Sequence, residues 1–436
     1  MAVAVGAPAQ QQPPPPLSLV AATNAALQQV SAFQQAQIDE AIAAADLRQA
    51  RAALLPRARD SFSITYNSPE AHSNPPVPSF IAANAIHEYQ NLLGVTGEWN
   101  FGLVAAVRRS RALLDAARAG TEIARRALIR GVAEAYYGAA LATAKRDAAE
   151  QSLAAAEEFQ RVTCLNFDAG EVPEVDCIRA RLQAAARRDD LLQARQQEAI
   201  ANASLGTLLG YGITLTRPSA TLSRDAGEGR GEGLPAIEAL PQTIDAAAVD
   251  QLTAAGVQRR PEFAQVNAQL VAARAGVSVA RADFLPKITY SLDKGFDTDS
   301  LRHDERSKHQ GTLATATVDV PLFDWGATYS KWRQAQLQVR ASELQRQLTT
   351  RELYLQFLTA RQEAVTAAER IDNARRALAD AERNVTISIA RYRAGEAPVT
   401  EATEAQTTRA QQRLSLQQAL FDYQVALAHL REAAGE

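Results

Sequence analysis

Two short strings occur twice along this chain, in the same order and almost the same distance apart. That duplication limits the fold more than any other feature. Arg51-Ala-Ala-Leu-Leu-Pro56-Arg57 returns as Arg281-Ala-Asp-Phe-Leu-Pro286-Lys287, 230 residues further on. Phe167-Asp-Ala-Gly170-Glu171-Val-Pro173 returns as Tyr392-Arg-Ala-Gly395-Glu396-Ala-Pro398, 225 residues further on. Agreement between two such offsets marks one structural unit used twice, stacked so that neighbouring copies bury what one cannot bury alone. The chain divides accordingly into a Pro-rich leader over residues 1–16, a first repeat over 17–210, a linker over 211–245, a second repeat over 246–432 and a tail over 433–436.

Each repeat reads as helix, strand pair, very long helix, tight turn, helix. In the first, a helix from Leu19 to Leu54 stops at Pro56, because the residue before a proline is pushed out of the helical region. Ser61-Phe-Ser-Ile-Thr-Tyr66 then alternates polar and apolar with a period of two. A Pro/Asn/Ser-rich loop (Asn67 to Ser79) leads to a weaker strand near Tyr89 to Trp99. In the second repeat Ile288, Tyr290 and Leu292 alternate with Thr289, Ser291 and Asp293; after a charged loop (Asp297 to Gln310), Ala314, Ala316, Val318 and Val320 alternate with Thr315, Thr317 and Asp319. Four strands with one polar and one apolar face suit a membrane barrel with lipid outside and water inside. The pattern assigns Phe62, Ile64, Tyr290, Leu292, Val318 and Val320 to lipid, and Ser63, Thr65, Thr289, Ser291, Thr315 and Thr317 to the lumen.

No proline interrupts Gly102 to Asp168 or Gly326 to Arg393. Each is a rod on the order of 100 Å at about 1.5 Å per residue, turning where Gly170 or Gly395 can adopt the left-handed conformation that ends a helix. Pro173 and Pro398 pre-set the returning helix. The 436 residues are 47% hydrophobic but mostly through alanine, and only 6% aromatic, which favours close-packed helices over a thick globular core. The segment Asp225-Ala-Gly-Glu-Gly-Arg-Gly-Glu-Gly lies in a linker too poor in apolar residues to fold alone.

No apolar run approaches the roughly 18 residues of a helical membrane span, and membrane strands escape that test. A net charge of −3 without a basic stripe argues against nucleic acid as the main partner. The N-terminus, with its run from Pro13 to Pro16, has neither the basic start nor the apolar stretch of a signal peptide. A removed signal, a misplaced start and a cytosolic location all fit that observation.

The ordered set of features resembles the TolC-like outer-membrane efflux factor family over roughly residues 17 to 432. The residues that carry the resemblance are the duplicated helix–Leu-Pro–strand pairs, Pro321-Leu-Phe-Asp-Trp-Gly326 and the two Gly-Glu tips, with Asp176-Cys-Ile-Arg-Ala-Arg-Leu182 and Leu205-Gly-Thr-Leu-Leu-Gly210 in the helix after the first tip. The resemblance implies a mainly α fold with a membrane β-barrel: a homotrimer, four strands per protomer in one twelve-stranded barrel, continued by a long α-helical coiled-coil tunnel in the periplasm. It implies a passive exit duct of an efflux pump or type I secretion system in the bacterial outer membrane, opened by a periplasmic adaptor (membrane fusion) protein and an inner-membrane transporter. By the same resemblance Glu401 and Glu404 match paired acids that ring the tunnel entrance, and Asp176 and Tyr392 match residues that hold it shut. The adaptor-contact tips are Ala169, Gly170, Glu171 and Val172, and Ala394, Gly395, Glu396 and Ala397. A basic residue expected two positions after the second tip glycine is replaced by Ala397, so the gate needs another closing contact.

Glu401 and Glu404, three apart on one helix, also suit a solvated face near a helix N-terminus. Cys164 and Cys177 lie six residues before and seven after Gly170, at similar heights of an antiparallel hairpin. A disulfide across the tip and two small thiols packed between helices both fit that spacing. His72, His87, His303 and His309 fall in the two loops expected outside the cell, where exposed polar residues are more common than a metal site, and His429 stands apart. No catalytic signature, cofactor motif or metal-ligand set is present, so an enzyme has no support. A soluble coiled-coil scaffold would share the long helices but has no use for four alternating strands. A periplasmic adaptor would need a lipoyl-like β-domain that the sequence lacks.

Overall fold

A computed structural model describes residues 16–72, 74–79, 85–210, 237–242, 249 and 251–435. The leader and most of the linker lie outside the described residues. The described chain divides into two compact units, one formed by Met1–Gln35, Thr121–Pro261 and Thr350–Glu436, the other by Ala36–Gly120 and Glu262–Thr349. Both repeats contribute to each unit.

The second of these units is organised by an antiparallel sheet in the order β1 (Arg57–Tyr66), β2 (His87–Trp99), β3 (Lys287–Thr298), β4 (Gln310–Asp319). Helix α2 (Ala32–Ala52) precedes β1, and α5 (Pro261–Ala282) precedes β3, each ending in the turn that carries Pro56 or Pro286. Both chain connections out of the sheet start long helices at capped junctions. The Asn100 side chain accepts from the Leu103 N–H at 3.0 Å and so opens α3 (Phe101–Asp168). The Asp324 carboxylate accepts from the N–H groups of Gly326 and Thr328 at 3.1 and 2.7 Å before α7 (Ala327–Arg393). Side-chain acceptors at those places satisfy amides that a helix leaves orphaned. The expected charged loop between β3 and β4 contains a further short helix, α6 (His303–Lys308), held partly by the Lys308–Glu305 pair at 2.9 Å.

The other unit contains α1 (Leu19–Leu27), most of α3, α4 (Glu174–Leu209), a 3-10 turn (Ala254–Arg259), most of α7 and α8 (Val399–Ala433). The sequence led us to expect a single helix over Leu19 to Leu54; the structure breaks it after Leu27. Gln28 and Gln29 bond back three residues, to the carbonyls of Ala25 and Ala26, and tighten the end of α1. The break lets α1 lay Ala22 and Ala26 against Val132, Tyr136 and Ala139 of α3 and Leu205 and Leu209 of α4. Alanine at those contacts allows the helices to approach closely, and the buried Tyr136 hydroxyl donates to the Leu17 carbonyl at 2.8 Å. Burial pushes that phenol up to about 12. Helix α4 ends at Gly210 with φ of 76°, where the Gln29 side chain occupies the space a Cβ would need.

Candidate functional site

The strand register sorts side chains onto two faces. Directly opposed residues share a face, and Ile64 pairs with Tyr89, Val95 with Leu292, Gly97 with Tyr290, and Ile288 with Val318. One face therefore carries Phe62, Ile64, Leu93, Val95, Trp99, Tyr290, Leu292 and Val318, all exposed, with Asp60, Asn91 and Lys294 set among them. The opposite face carries Ser63, Thr65, Thr96, Thr289, Ser291, Thr315 and Thr317. Val320 lies one residue beyond the end of β4 and belongs to the junction with Leu322, Phe323 and Trp325. Two glycines of β2 are required by their neighbours. The Tyr290 ring covers Gly97 on the apolar face, and on the polar face the buried Asp293 carboxylate lies over Gly94. Among the described residues, strands β1 and β4 each have a partner on one side only.

Both hairpin tips close by the same backbone pattern. Gly170 has φ of 76°, its N–H bonds to the Phe167 carbonyl at 2.8 Å, and the Glu171 N–H reaches back to Asn166 at 2.8 Å. Gly395 has φ of 74°, with Gly395 bonded to Tyr392 at 3.0 Å and Glu396 to Arg391 at 2.9 Å. This arrangement occupies the last carbonyls of α3 and α7 and needs glycine at the left-handed position. Pro173 and Pro398 then sit as N-caps of α4 and α8. Ala169, Gly170 and Glu171 are exposed and Val172 half-buried; Ala394, Gly395 and Glu396 are exposed, but Ala397 is turned into its hairpin.

Below the tips the two hairpins differ. Cys164 and Cys177 form a disulfide with a Cα–Cα distance of 4.8 Å, tying α3 to α4. In the second hairpin the tie is ionic: Arg391 donates to the Glu401 carboxylate at 2.5 Å, with Ser388 3.5 Å from the same oxygen. Glu404 is exposed. Asp176 is mostly buried, 3.9 Å from Arg179. The Tyr392 ring packs 5.5 Å from Phe159 beside Ala180, Val399 and Ala402, and its hydroxyl is buried without a hydrogen-bond partner among the described residues.

Sequence reasoning missed Arg391, Ser388 and Phe159. Arg391 was legible as the cation four residues before Gly395, which an antiparallel hairpin brings opposite Glu401, six after it. The histidines scatter. His72 is in the β1–β2 loop, His87 opens β2 5.2 Å from the Tyr66 ring, and His303 and His309 bound α6. His429 meets Glu134 at 2.7 Å. Among the described residues no group of His, Cys, Asp and Glu is placed to hold a metal.

These features define a duplicated helical-hairpin protein with one amphipathic four-stranded sheet. A family model described as outer membrane efflux protein matches residues 22–211 and 255–436, and the chain belongs to that family. The family is one of efflux ducts, not of enzymes. The probable efflux pump outer membrane protein TtgC of Pseudomonas putida is 30% identical over 221 residues, 49% of this chain and 40% of that relative. The chain thus spans well under two thirds of that relative's length. The pyoverdine export outer membrane protein OpmQ of Pseudomonas aeruginosa is 27% identical over 396 residues, 87% of this chain and 75% of that protein. The fold is that of the CmeC outer membrane channel of Campylobacter jejuni, with a TM-score of 0.79 at 20% identity over 96% of this chain and 85% of that one.

Proposed function

We propose that three copies of this chain form a passive exit duct through the bacterial outer membrane, with the four strands of each contributing to one twelve-stranded barrel and the helical hairpins forming a periplasmic tunnel. The observation that carries the reading is the sheet itself. Its apolar face exposes large hydrophobic side chains on all four strands, from Phe62 and Ile64 to Val318, and exposed apolar surface of that kind marks a binding or membrane-facing site. Its two outer strands each lack a second neighbour, and a sheet in lipid cannot keep open edges because unpaired amides there have no water to bond. Joining β4 of one copy to β1 of the next closes the ring and removes every edge. Lipid then meets Phe62, Ile64, Tyr290, Leu292, Val318 and, at the junction, Val320.

The duct holds no device for converting energy, so an inner-membrane transporter supplies it and a periplasmic adaptor docks on the tips. The names of relatives mention different cargoes or none, which fits a wall that does not choose what passes. At the inner end, Asp176, Tyr392, Glu401 and Glu404 form the entrance. The unpartnered Tyr392 hydroxyl has a bond to offer a neighbouring protomer, and Arg391–Glu401 supplies a contact that Ala397 cannot.

Single cysteines in a background lacking Cys164 and Cys177 test the barrel. Those at Ser63, Thr65, Thr289, Ser291, Thr315 and Thr317 should react with a membrane-impermeant thiol reagent on assembled protein, and those at Phe62, Ile64, Tyr290, Leu292 and Val318 should not. Equal labelling of both sets would remove lipid from the apolar face and the barrel from this reading.

A further inference from the structure

The two hairpins are related by a shift of 225 residues, which aligns Val172 with Ala397, Glu174 with Val399, Cys164 with Ile389 and Cys177 with Ala402. They secure their tips by different means. In the second hairpin, beyond the Arg391–Glu401 pair, Ala397 and Val399 are 9% and 1% exposed, so apolar side chains plug the turn within four residues of Gly395. In the first, Val172 is only half-buried and Glu174 is exposed, as are Asp168, Ala169, Gly170, Glu171, Pro173 and Val175. Proceeding outward, the last fully buried residues are Thr163 and Cys177, and Thr163 adds no tie because its hydroxyl finds no hydrogen-bond partner. Helix ends with so little burial open locally at small free-energy cost. The Cys164–Cys177 bond sits at that boundary and encloses the whole turn in one covalent ring.

We infer that this disulfide takes the place of the apolar plug, keeping the first tip ordered while leaving its exposed side chains, Glu171 and Glu174 among them, free for a protein partner. A plug needs side chains turned inward, as Ala397 and Val399 are; a covalent tie does not. Ordering the turn before docking removes a cost that binding would otherwise bear. The inference rests on the adaptor-docking reading above, but its central observation, a disulfide-dependent tip, can be measured without any partner. The oxidising periplasm maintains such a bond.

The test is amide hydrogen exchange on the full-length, membrane-inserted protein, comparing it with the Cys164→Ala/Cys177→Ala variant. Exchange across residues 165–176 should quicken about tenfold or more in the variant, with residues 390–401 unchanged. Adding Val172→Ala and Glu174→Val, which transplants the plug of the second hairpin, should restore slow exchange. Binding of a cognate adaptor's hairpin should fall about tenfold in the cysteine variant, and the transplant should not recover it, because it turns the contact side chains inward. Unchanged exchange in the cysteine variant overturns the brace. Quickened exchange with unaltered adaptor binding overturns the docking role. If the wild-type protein fails to insert in membranes, the channel reading fails, whatever detergent-solubilised protein shows at the tip.

Discussion

Removing the acids of the second hairpin one at a time, and then together, distinguishes a ring of free carboxylates from one partly neutralised by Arg391. The Arg391–Glu401 contact is direct, so those two charges cancel to first order in each protomer. With Asp176 beside Arg179, Glu404 is the acid of the entrance set that remains uncompensated, leaving three negative charges there in a trimer. A unit charge about 8 Å from the axis contributes about 0.5 kcal/mol to a passing ion at the dielectric of water. Three contribute about 1.5 kcal/mol, which favours a cation and disfavours an anion by about tenfold each. Either Glu404→Ala or Glu401→Ala should bring the entrance close to neutral, the second because it uncovers Arg391. The double variant should become anion-selective by a similar factor, and adding Arg391→Gln should return it to neutrality. Reversal potentials under a salt gradient in planar bilayers read these signs directly, at low ionic strength to limit screening. A double variant that loses selectivity without reversing it would show that Arg391 does not reach the ion path, and the pairing would have no electrostatic role there.

Glu122 accepts hydrogen bonds from Arg125 and Arg126, and chiefly the Arg125 bond holds its carboxyl down at about 2, against an ordinary 4.5. A carboxyl lowered by folding adds stability that is complete above the ordinary value and disappears as pH falls toward the folded one. With its side chain 35% exposed, solvent screening leaves about 1 kcal/mol. Glu122→Gln should therefore lower thermal stability at pH 7 but not near pH 2, and an equal deficit at both would assign the effect to packing. Gly94→Val would drive a side chain onto the Asp293 carboxylate, at a cost of about 1–3 kcal/mol by the usual penalty for overpacking. It should reduce the yield of detergent-resistant trimer, with partial recovery on adding Asp293→Ala; a normal yield from Gly94→Val alone would contradict the register.

The architecture was legible because its signals are long and repeated. Period-two alternation at Thr289 to Asp293 and uninterrupted helical stretches either side of Gly170 and Gly395 leave few folds open, and the duplicated strings confirm their order. Local exceptions were less legible. The break after Leu27 depends on contacts with α3 and α4 that no local propensity encodes. Helix α6 is six residues long, too short for a periodic signal, and rests on charge pairs within a loop. The first six residues of β1 and β2 each include charged or mixed positions, such as Arg57, Arg59 and Glu88, which hide the alternation. At the tips, the family resemblance pointed to the acids but not to Arg391, because pairing across a turn is counted from the glycine rather than along one helix. The burial of Ala397 beside the exposed Gly395 likewise follows from the direction of the turn, which the sequence string does not state.

Single-channel recording from the purified full-length protein in planar bilayers tests the central claim most directly. A trimeric duct should insert to give discrete conductance steps of one amplitude, stable for as long as the trimer persists. Those steps should carry the charge selectivity of the entrance and disappear when the oligomer is dissociated before addition. Membrane-bound protein that produces no steps even after Asp176→Ala and Tyr392→Phe loosen the entrance, or only irregular leak that survives dissociation, would contradict an outer-membrane channel built from this sheet.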